Sequence, residues 1–282
     1  MKNYFCGWYF KCQSKEKTLA IIPAFHKSRD NRSSSLQVIT DNNAWNISLP
    51  YNELKIDRHS FNIQTKNSHF GKYGMELNIN EPNISINGSV SFGKLLPIRY
   101  DIMGPFRYVP FMQCRHSVVS MMHTVNGNIK INDIDYIFEN SLGYIEGDRG
   151  YSFPKKYIWT QCFFENGSLM LSVATIPFSL FNFTGIICVI MYNKKEYRLA
   201  TYLGAKIIKV TDNEVVIKQN DMLLEIRLIK RCALPLLAPQ KGNMIRTIHE
   251  SASCVAYYRF THKRQAVFEF VSDKASFEYE FF

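Results

Sequence analysis

Apolar and polar residues alternate along most of this 282-residue chain, and this period of two constrains its fold more than any other feature. Leu224, Ile226 and Leu228 alternate with polar neighbours, and the segments 75–80 and 84–92 repeat the pattern. Successive side chains of a β-strand point to opposite faces of its sheet, so such segments are typical of half-buried strands. The 21 Phe and 16 Tyr residues also favour strands. The sequence therefore predicts an all-β protein.

Turn residues separate the alternating segments, whereas helix signals are scarce. Asn126-Gly127 and Asn166-Gly167 lie between alternating runs, where a tight hairpin turn requires a positive φ. Residues 244–252 are the best candidate for a helix. Strands joined by hairpins, without helices to cover a sheet, indicate barrels or sandwiches.

The number of predicted strands suggests two domains. About 20 strands exceed the roughly eight of a small closed barrel, so we expect two antiparallel β-barrels in tandem. Residues 147–154 contain two glycines and a proline and divide the chain nearly in half, which gives domains 1–150 and 151–282. Residues 94–112, also rich in turn residues, are either the alternative boundary or a long loop.

Charge and cysteine content restrict the class of protein. The formal net charge of +10 raises the question of nucleic acid as a partner. Lys and Arg are spread thinly and form no stripe or recognised motif, so we expect no nucleic-acid partner. Seven cysteines without a C-x-x-C pair, and the absence of a secretion signal or a membrane-length apolar run, predict free thiols in a soluble cytoplasmic protein. No metal or cofactor is expected, because no metal-ligand spacing or phosphate-binding glycine loop is present.

The segment GYIEGDRGYSFPKKYIWTQC, residues 143–162, places a charged turn directly before an aromatic strand. Three charged residues are followed by three large side chains that share one strand face. They are Glu146, Asp148 and Arg149, then Tyr157, Trp159 and Gln161. Two further candidates are the aromatic pair Trp8 and Tyr9 and, within a predicted strand at 113–123, His116. Packing in a core is the alternative reading of each.

The same segment resembles the E-K-N/D-W-G…F-P-x-x-W-x-W-x-Q-C signature of the tocopherol cyclase family, which is related to lipocalin-like carotenoid 1,2-hydratase and AttH proteins. GWYF (7–10), RHSVVSMMH (115–123) and YRLATYLGAKI (197–207) fall in the family's order, so the resemblance covers most of the chain. The family has Asn-Trp where this chain has Asp148-Arg149. The resemblance implies two lipocalin-like barrels with a ligand cavity near their junction. It also implies the addition of a phenol or of water across a prenyl alkene.

This chemistry requires an acid that is held dry among aromatic rings. Burial among rings raises the pKa of a carboxyl group, so that it can stay protonated at neutral pH. Asp148 or Glu146 is the predicted proton donor. Arg149 would lower the pKa of the carboxyl group with which it pairs: pairing with Glu146 would leave Asp148 as the acid, whereas pairing with Asp148 would weaken this hypothesis. His116 is the predicted general base.

The remaining expectations concern the ligand. Aromatic faces attract a transient cation, and a buried amide needs a hydrogen-bond partner such as a quinol hydroxyl or a backbone group. The predicted substrate-binding residues are Trp8, Tyr9, Arg149, Tyr157, Trp159 and Gln161. We expect a hydrophobic small-molecule substrate; transient membrane contact and the oligomeric state stay open. The alternative function is a non-catalytic, lipocalin-like carrier, in which the charged cluster only joins the two barrels.

Overall fold

The computed structural model describes residues 3–29, 31–57, 60–110, 112–178 and 181–280. Within these ranges the chain forms antiparallel strands and two single-turn 3₁₀ segments, with no α-helix, which confirms the all-β prediction. None of the described residues belongs to a helix long and apolar enough to cross a bilayer.

The strands of the N-terminal half form one antiparallel sheet. Among the described residues it contains eleven strands, whose order across the sheet is β4-β3-β2-β1-β11-β10-β9-β8-β7-β6-β5. Their bounds are β1 Tyr4–Gln13, β2 Thr18–Lys27, β3 Arg32–Thr40, β4 Ala44–Leu49, β5 Lys55–Asp57, β6 Asn62–Gln64, β7 His69–Gly71, β8 Gly74–Glu81, β9 Ile84–Phe92, β10 Cys114–Ile131 and β11 Ile134–Gly150.

The strands of the C-terminal half form a second antiparallel sheet. The described part of this half contains ten strands, in the order β15-β14-β13-β12-β21-β20-β18-β17-β16, with β19 paired to β20. Their bounds are β12 Lys156–Phe164, β13 Gly167–Phe178, β14 Phe181–Tyr192, β15 Lys195–Ala200, β16 Lys206–Val210, β17 Glu214–Gln219, β18 Met222–Lys230, β19 Leu234–Gln240, β20 Asn243–His262 and β21 Gln265–Tyr279.

The buried apolar side chains form three clusters, one in each sheet and one between the two sheets. One fills the N-terminal sheet around Phe10 and Phe70, and a second fills the C-terminal sheet around Tyr258 and Phe260. The third cluster contains residues of both sheets, Trp159 among them, and therefore lies at their junction. Burial of apolar side chains is the main favourable term in folding, so this third cluster fixes one sheet against the other.

The sheet changes between Gly150 and Lys156, whereas residues 93–113 run between two strands of the first sheet. A 3₁₀ turn at Gly104–Tyr108 lies in this connection. The guanidinium of Arg198 in β15 fastens the connection to the second sheet, because it donates to the carbonyls of Tyr100 and Asp101 at 2.9 and 3.1 Å. The division into domains 1–150 and 151–282 stays a prediction.

Two local expectations are wrong and one is confirmed. Asn166-Gly167 lies at the predicted hairpin between β12 and β13, and Asn166 has φ 57°. Gly127 instead lies at a bulge within β10, where a Cβ would come 2.3 Å from the carbonyl oxygen of Ser89.

Residues 244–252 form part of strand β20 rather than a helix. Their apolar spacing of four residues fits one face of a strand as well as a helix, and pairing with β19 and β21 decides between them.

Candidate functional site

A cavity of about 300 Å³ lies at the junction of the two sheets, and we call it the front cavity. Most of its wall is apolar, including Met103 and Phe106 from the connection between β9 and β10, and Phe183 from β14. Its polar groups come from both sheets. They are Cys114, His116, Glu146, Asp148, Ser172 and Glu278. An apolar cavity with a few convergent polar groups is the usual form of a small-molecule site.

Strand register brings His116 against two carboxylates. His116 on β10 is paired with Asp148 on β11, and Glu146 precedes Asp148 by two residues, so the three share one face. The imidazole Nδ1 lies 3.1 Å from Asp148 Oδ1, and Nε2 lies 3.2 Å from Glu146 Oε2. The first contact is a hydrogen bond; the second is an ion pair without hydrogen-bond alignment. The imidazole therefore bridges the two carboxylates.

The bridging position determines the charge of His116. Burial favours the neutral imidazole, but the carboxylates of Glu146 and Asp148 outweigh burial and hold the pKa of His116 well above its usual value. An imidazolium at neutral pH has no lone pair to accept a proton. This makes His116 the counter-ion of two carboxylates, while its role as a general base stays a prediction.

The Glu146 oxygen that faces His116 also accepts from two further donors. Tyr144 O–H and Trp159 Nε1–H donate to the same Oε2 atom, at 2.5 and 3.1 Å. The carboxyl group of Glu146 is thus held in place beside the indole ring of Trp159, which lines the cavity.

A second carboxyl pair lies beside the first, on the C-terminal sheet. Glu250 on β20 and Glu278 on β21 are register partners, and the charge of Glu278 helps to raise the pKa of Glu250. Two neighbouring carboxyl groups resist ionising together. Tyr157 O–H donates to the Oε2 atom of Glu278. This arrangement favours retention of a proton by the pair, and Glu278 lies at the wall of the front cavity.

The environment of this pair keeps it protonated near neutral pH. Glu278 is partly accessible because it faces the cavity, but protein surrounds it, and this desolvation raises its pKa to about 7. The hydrogen bond from Tyr157 opposes this effect, whereas the nearby Glu146 and Asp148 add to it. Burial and the charge of Glu278 also raise the pKa of Glu250 well above its usual value. Glu278 is thus the group best placed to deliver a proton into the cavity.

A smaller cavity of about 70 Å³, which we call the rear cavity, lies behind the carboxyl groups. It shares Glu146, Asp148 and Glu278 with the front cavity. Glu250 and His26 line only the rear cavity. The carboxyl cluster therefore forms a wall between two cavities.

The structure places the predicted site residues in four different environments. Five of them line the front cavity, namely His116, Glu146, Asp148, Tyr157 and Trp159. Trp8 and Tyr9 line the rear cavity instead, where the ring of Tyr9 packs edge-on against Trp159 at 5.3 Å.

Arg149 and Gln161 lie outside both cavities. Arg149 is exposed and forms no ion pair with either carboxylate in the described part of the chain, so both predicted pairings are wrong. The reason is strand geometry, since Arg149 points to the face opposite Asp148. The amide oxygen of Gln161 accepts a hydrogen bond at 2.9 Å from the buried Lys11, a contact between the sheets rather than a ligand site.

Sequence reasoning missed Glu250 and Glu278. Glu278 lies in segment 276–280, whose alternation is typical of a half-buried strand and does not single out Glu278. Glu250 follows His249 in the segment interpreted as a helix. The alternation of apolar and polar residues shows that one face of a strand is apolar and the other polar, but it does not show whether the polar face meets a cavity.

Three site residues also have the separation of metal ligands. Ligand atoms of His116, Glu146 and Asp148 lie within 4.8 Å of one another. In the structure both imidazole nitrogens of His116 lie against carboxylate oxygens, so the three groups form an ion-pair cluster. The expectation that no metal is bound stays a prediction.

Comparison with known proteins gives relatives by structure only. No protein-family model and no curated protein sequence matches the chain. CghA in complex with Sch210972 is similar with a TM-score of 0.62 and 8% identity, over 99% of this chain and 89% of CghA. Kievitone hydratase from Nectria haematococca is similar with a TM-score of 0.55 and 8% identity, over 99% of this chain and 89% of the hydratase.

An AttH-like protein from Nitrosomonas europaea is similar with a TM-score of 0.57 and 8% identity, over 100% of this chain and 93% of that protein. Identity this low shows the fold alone. The fold is that of two tandem lipocalin-like barrels, as predicted. The resemblance stated from the sequence is thus supported for the fold, through the AttH-like protein, and not for tocopherol cyclase itself.

Proposed function

We propose that the chain is an enzyme that adds an O–H group across the prenyl alkene of an apolar, phenol-bearing substrate, by cyclisation or by hydration. The observation that carries this proposal is the position of Glu278 at the wall of an apolar cavity, where desolvation raises its pKa to about 7. Protonation of an alkene needs an acid that is still protonated at working pH and a cavity that limits the access of water. Both conditions are combined at Glu278.

The proton moves in two steps. In the first, the O–H bond of Glu278 breaks and the π electrons of the alkene form a new C–H bond, which leaves a tertiary cation. In the second, a lone pair of the phenol or water oxygen forms the C–O bond, and its proton passes to Asp148. Both protein contacts of Asp148, from His116 and Cys114, involve Oδ1, so Oδ2 is the oxygen that faces this proton.

The cation is stabilised by charge and by aromatic rings. Glu146 provides a fixed carboxylate, and the rings of Tyr157 and Trp159 provide π faces at the same wall. Each ring contributes about 0.5–2 kcal/mol toward a cation, with the larger value in a desolvated site. His116 does not quench the cation, since it is itself protonated.

The structural neighbours support an enzyme of this class. One of them is named a hydratase, and another binds the small molecule Sch210972. Both have the tandem-barrel fold over nearly the whole of this chain. These names agree with a hydratase- or cyclase-type reaction, and the choice of substrate rests on the cavity.

A carrier is the second candidate function, because the front cavity is largely apolar and lies at the junction of two lipocalin-like barrels. A carrier would bind an apolar ligand and release it unchanged. It has no need for a protonated carboxyl pair at the cavity wall, since burial of such groups is unfavourable.

The experiment is incubation of the protein with 2-prenylphenol, followed by mass spectrometry and NMR of the extracted products. The proposal predicts 2,2-dimethylchroman, or the tertiary alcohol that is one water heavier. Glu278→Gln should form neither product while still binding the phenol. Glu269→Gln, the same change at an exposed position of the same strand, should retain activity. Unchanged 2-prenylphenol that co-purifies with the wild-type protein would favour the carrier.

A further inference from the structure

The rear cavity borders both groups between which the proposed reaction moves a proton. Its wall contains Asp148, the proposed acceptor, and Glu278, the proposed donor. Glu250, the register partner of Glu278, lines the same space. The front cavity shares Asp148 and Glu278 but not Glu250.

Two buried polar side chains face the rear cavity with atoms that lack a partner. Glu250 is 1% exposed and His26 is 2% exposed. Glu250 Oε1 and His26 Nδ1 have no hydrogen-bond partner among the described residues. The Nε2 atom of His26 is already engaged with Ser35 Oγ at 3.0 Å. Buried polar atoms are nearly always hydrogen-bonded, to protein or to ordered water, so this space has the chemistry of a water site.

The size of the rear cavity fits that chemistry. A cavity needs at least roughly 10–15 Å³ to accommodate one water molecule, and it needs polar partners for that water. The rear cavity has about 70 Å³, enough for a short chain of water molecules. Because burial lowers the pKa of His26 to about 4, its imidazole is neutral and can both accept and donate a hydrogen bond.

We infer that the rear cavity binds a chain of water molecules that returns the proton from Asp148 to Glu278 after each turnover. This inference rests on the proposed function, in which Glu278 ends the reaction as a carboxylate and Asp148 ends it as an acid. The O–H bond of Asp148 breaks, each water passes on one proton, and an O–H bond forms at Glu250 or Glu278. No other reactant is consumed.

The rear route has an advantage over the front cavity. During turnover the substrate or product occupies the front cavity and displaces water from it, so no chain of water molecules can form there between the carboxyl groups. His116 lies between Asp148 and Glu146, but as an imidazolium it cannot accept the proton. The rear cavity therefore allows Glu278 to regain its proton from Asp148 while the front cavity is still occupied.

The test measures hydrogen–deuterium exchange at the protonated carboxyl group by infrared spectroscopy, without turnover. The protein is saturated with 2-(3-methylbutyl)phenol, which lacks the alkene, and then transferred to D₂O. The C=O band that is absent from Glu278→Gln reports the pair. Ala24→Leu places a larger apolar side chain in the wall of the rear cavity, and exchange should slow by roughly tenfold, as for about 1.4 kcal/mol added to the barrier.

A matched variant separates the two cavities. Ala174→Leu adds the same side chain to the front cavity, and its exchange should be no slower than that of the wild type. If Ala24→Leu does not fold, His26→Phe removes the unpartnered nitrogen from the same wall and should slow exchange in the same way. Equal exchange rates in the wild type and the rear-cavity variant would overturn the relay but not the proposed function. Absence of the Glu278 band from the wild type would overturn the proposed function itself.

Discussion

Glu250 and Glu278 lie directly opposite each other on β20 and β21, with their carboxyl groups in contact. Neither carboxyl group forms a hydrogen bond or ion pair with a Lys or Arg among the described residues, and burial raises the pKa of both. The nearby pair Glu146 and Asp148 has a cation, His116, between its members. The site thus contains one carboxyl pair whose members have raised pKa values and one pair that contacts His116, an arrangement suited to separating proton donation from stabilisation of positive charge.

The first prediction concerns the stability of Glu278→Gln as a function of pH. The raised pKa of Glu278, about 7, means that the folded state holds a proton that the unfolded state releases above its ordinary pKa. Wild-type stability should therefore fall as pH rises from about 4.5 toward 7 and level off above it. Glu278→Gln lacks this loss, so it should be more stable than the wild type by about 2 kcal/mol at pH 8 and similar at pH 5, measured by urea unfolding. A constant difference across this range would contradict the prediction.

The second prediction concerns the charge of His116. Replacing it in His116→Asn leaves the carboxylates of Glu146 and Asp148 without their counter-ion, and loss of one partner of a buried ion pair costs about 3–5 kcal/mol. Urea unfolding at pH 7 should show this loss, and it should shrink at a pH low enough to protonate the carboxylates. His249→Asn is the control, because the side chain of His249 is 61% exposed and should lose less than about 0.5 kcal/mol.

The third prediction concerns Arg198, which holds the connection between β9 and β10 over the front cavity. Its guanidinium stacks on Tyr100 at 3.6 Å and donates to the carbonyls of Tyr100 and Asp101. Lys cannot form this set of contacts, so Arg198→Lys should lose about 2 kcal/mol and expose residues 99–110 to limited proteolysis. Arg227→Lys, at an exposed position, should be cut at the wild-type rate.

The fourth prediction tests whether the cavity favours a positive charge. The compounds 2-(2-dimethylaminoethyl)phenol and 2-(3-methylbutyl)phenol have the same shape, but the first carries a cation where the reaction would form one. The carboxylate of Glu146 and the ring of Trp159 should bind the cation about tenfold more tightly in calorimetry. Glu146→Gln should remove most of this preference. Equal affinities in the wild type would count against stabilisation of a cation.

Much of the fold could be predicted from the sequence, because strand periodicity is a local property. The hairpin at Asn166 and the two-barrel architecture follow from alternation and turn residues. The face to which Arg149 points was also readable, since it is one residue from Asp148 and therefore opposite in parity. The predicted pairing of Arg149 with Glu146 or Asp148 rested on charge alone, without this parity, and is wrong.

The proton donor could not be predicted in the same way. Glu278 meets Trp159 through the pairing of β12 with β21, strands that are far apart in sequence. Phe277, one residue earlier, packs in the core of the C-terminal sheet, and this places Glu278 on the face toward the junction. Which face of an alternating strand meets a cavity depends on how the two sheets pack, and one sequence does not contain that information.

The most direct test of the central claim is a titration of the Glu278 carboxyl carbon by ¹³C NMR, with Glu278→Gln used to assign the resonance. The account predicts a midpoint near 7, because desolvation and two neighbouring carboxylates keep the proton in place. A midpoint near the ordinary value of about 4.3 would show a carboxylate at neutral pH and would contradict Glu278 as the acid.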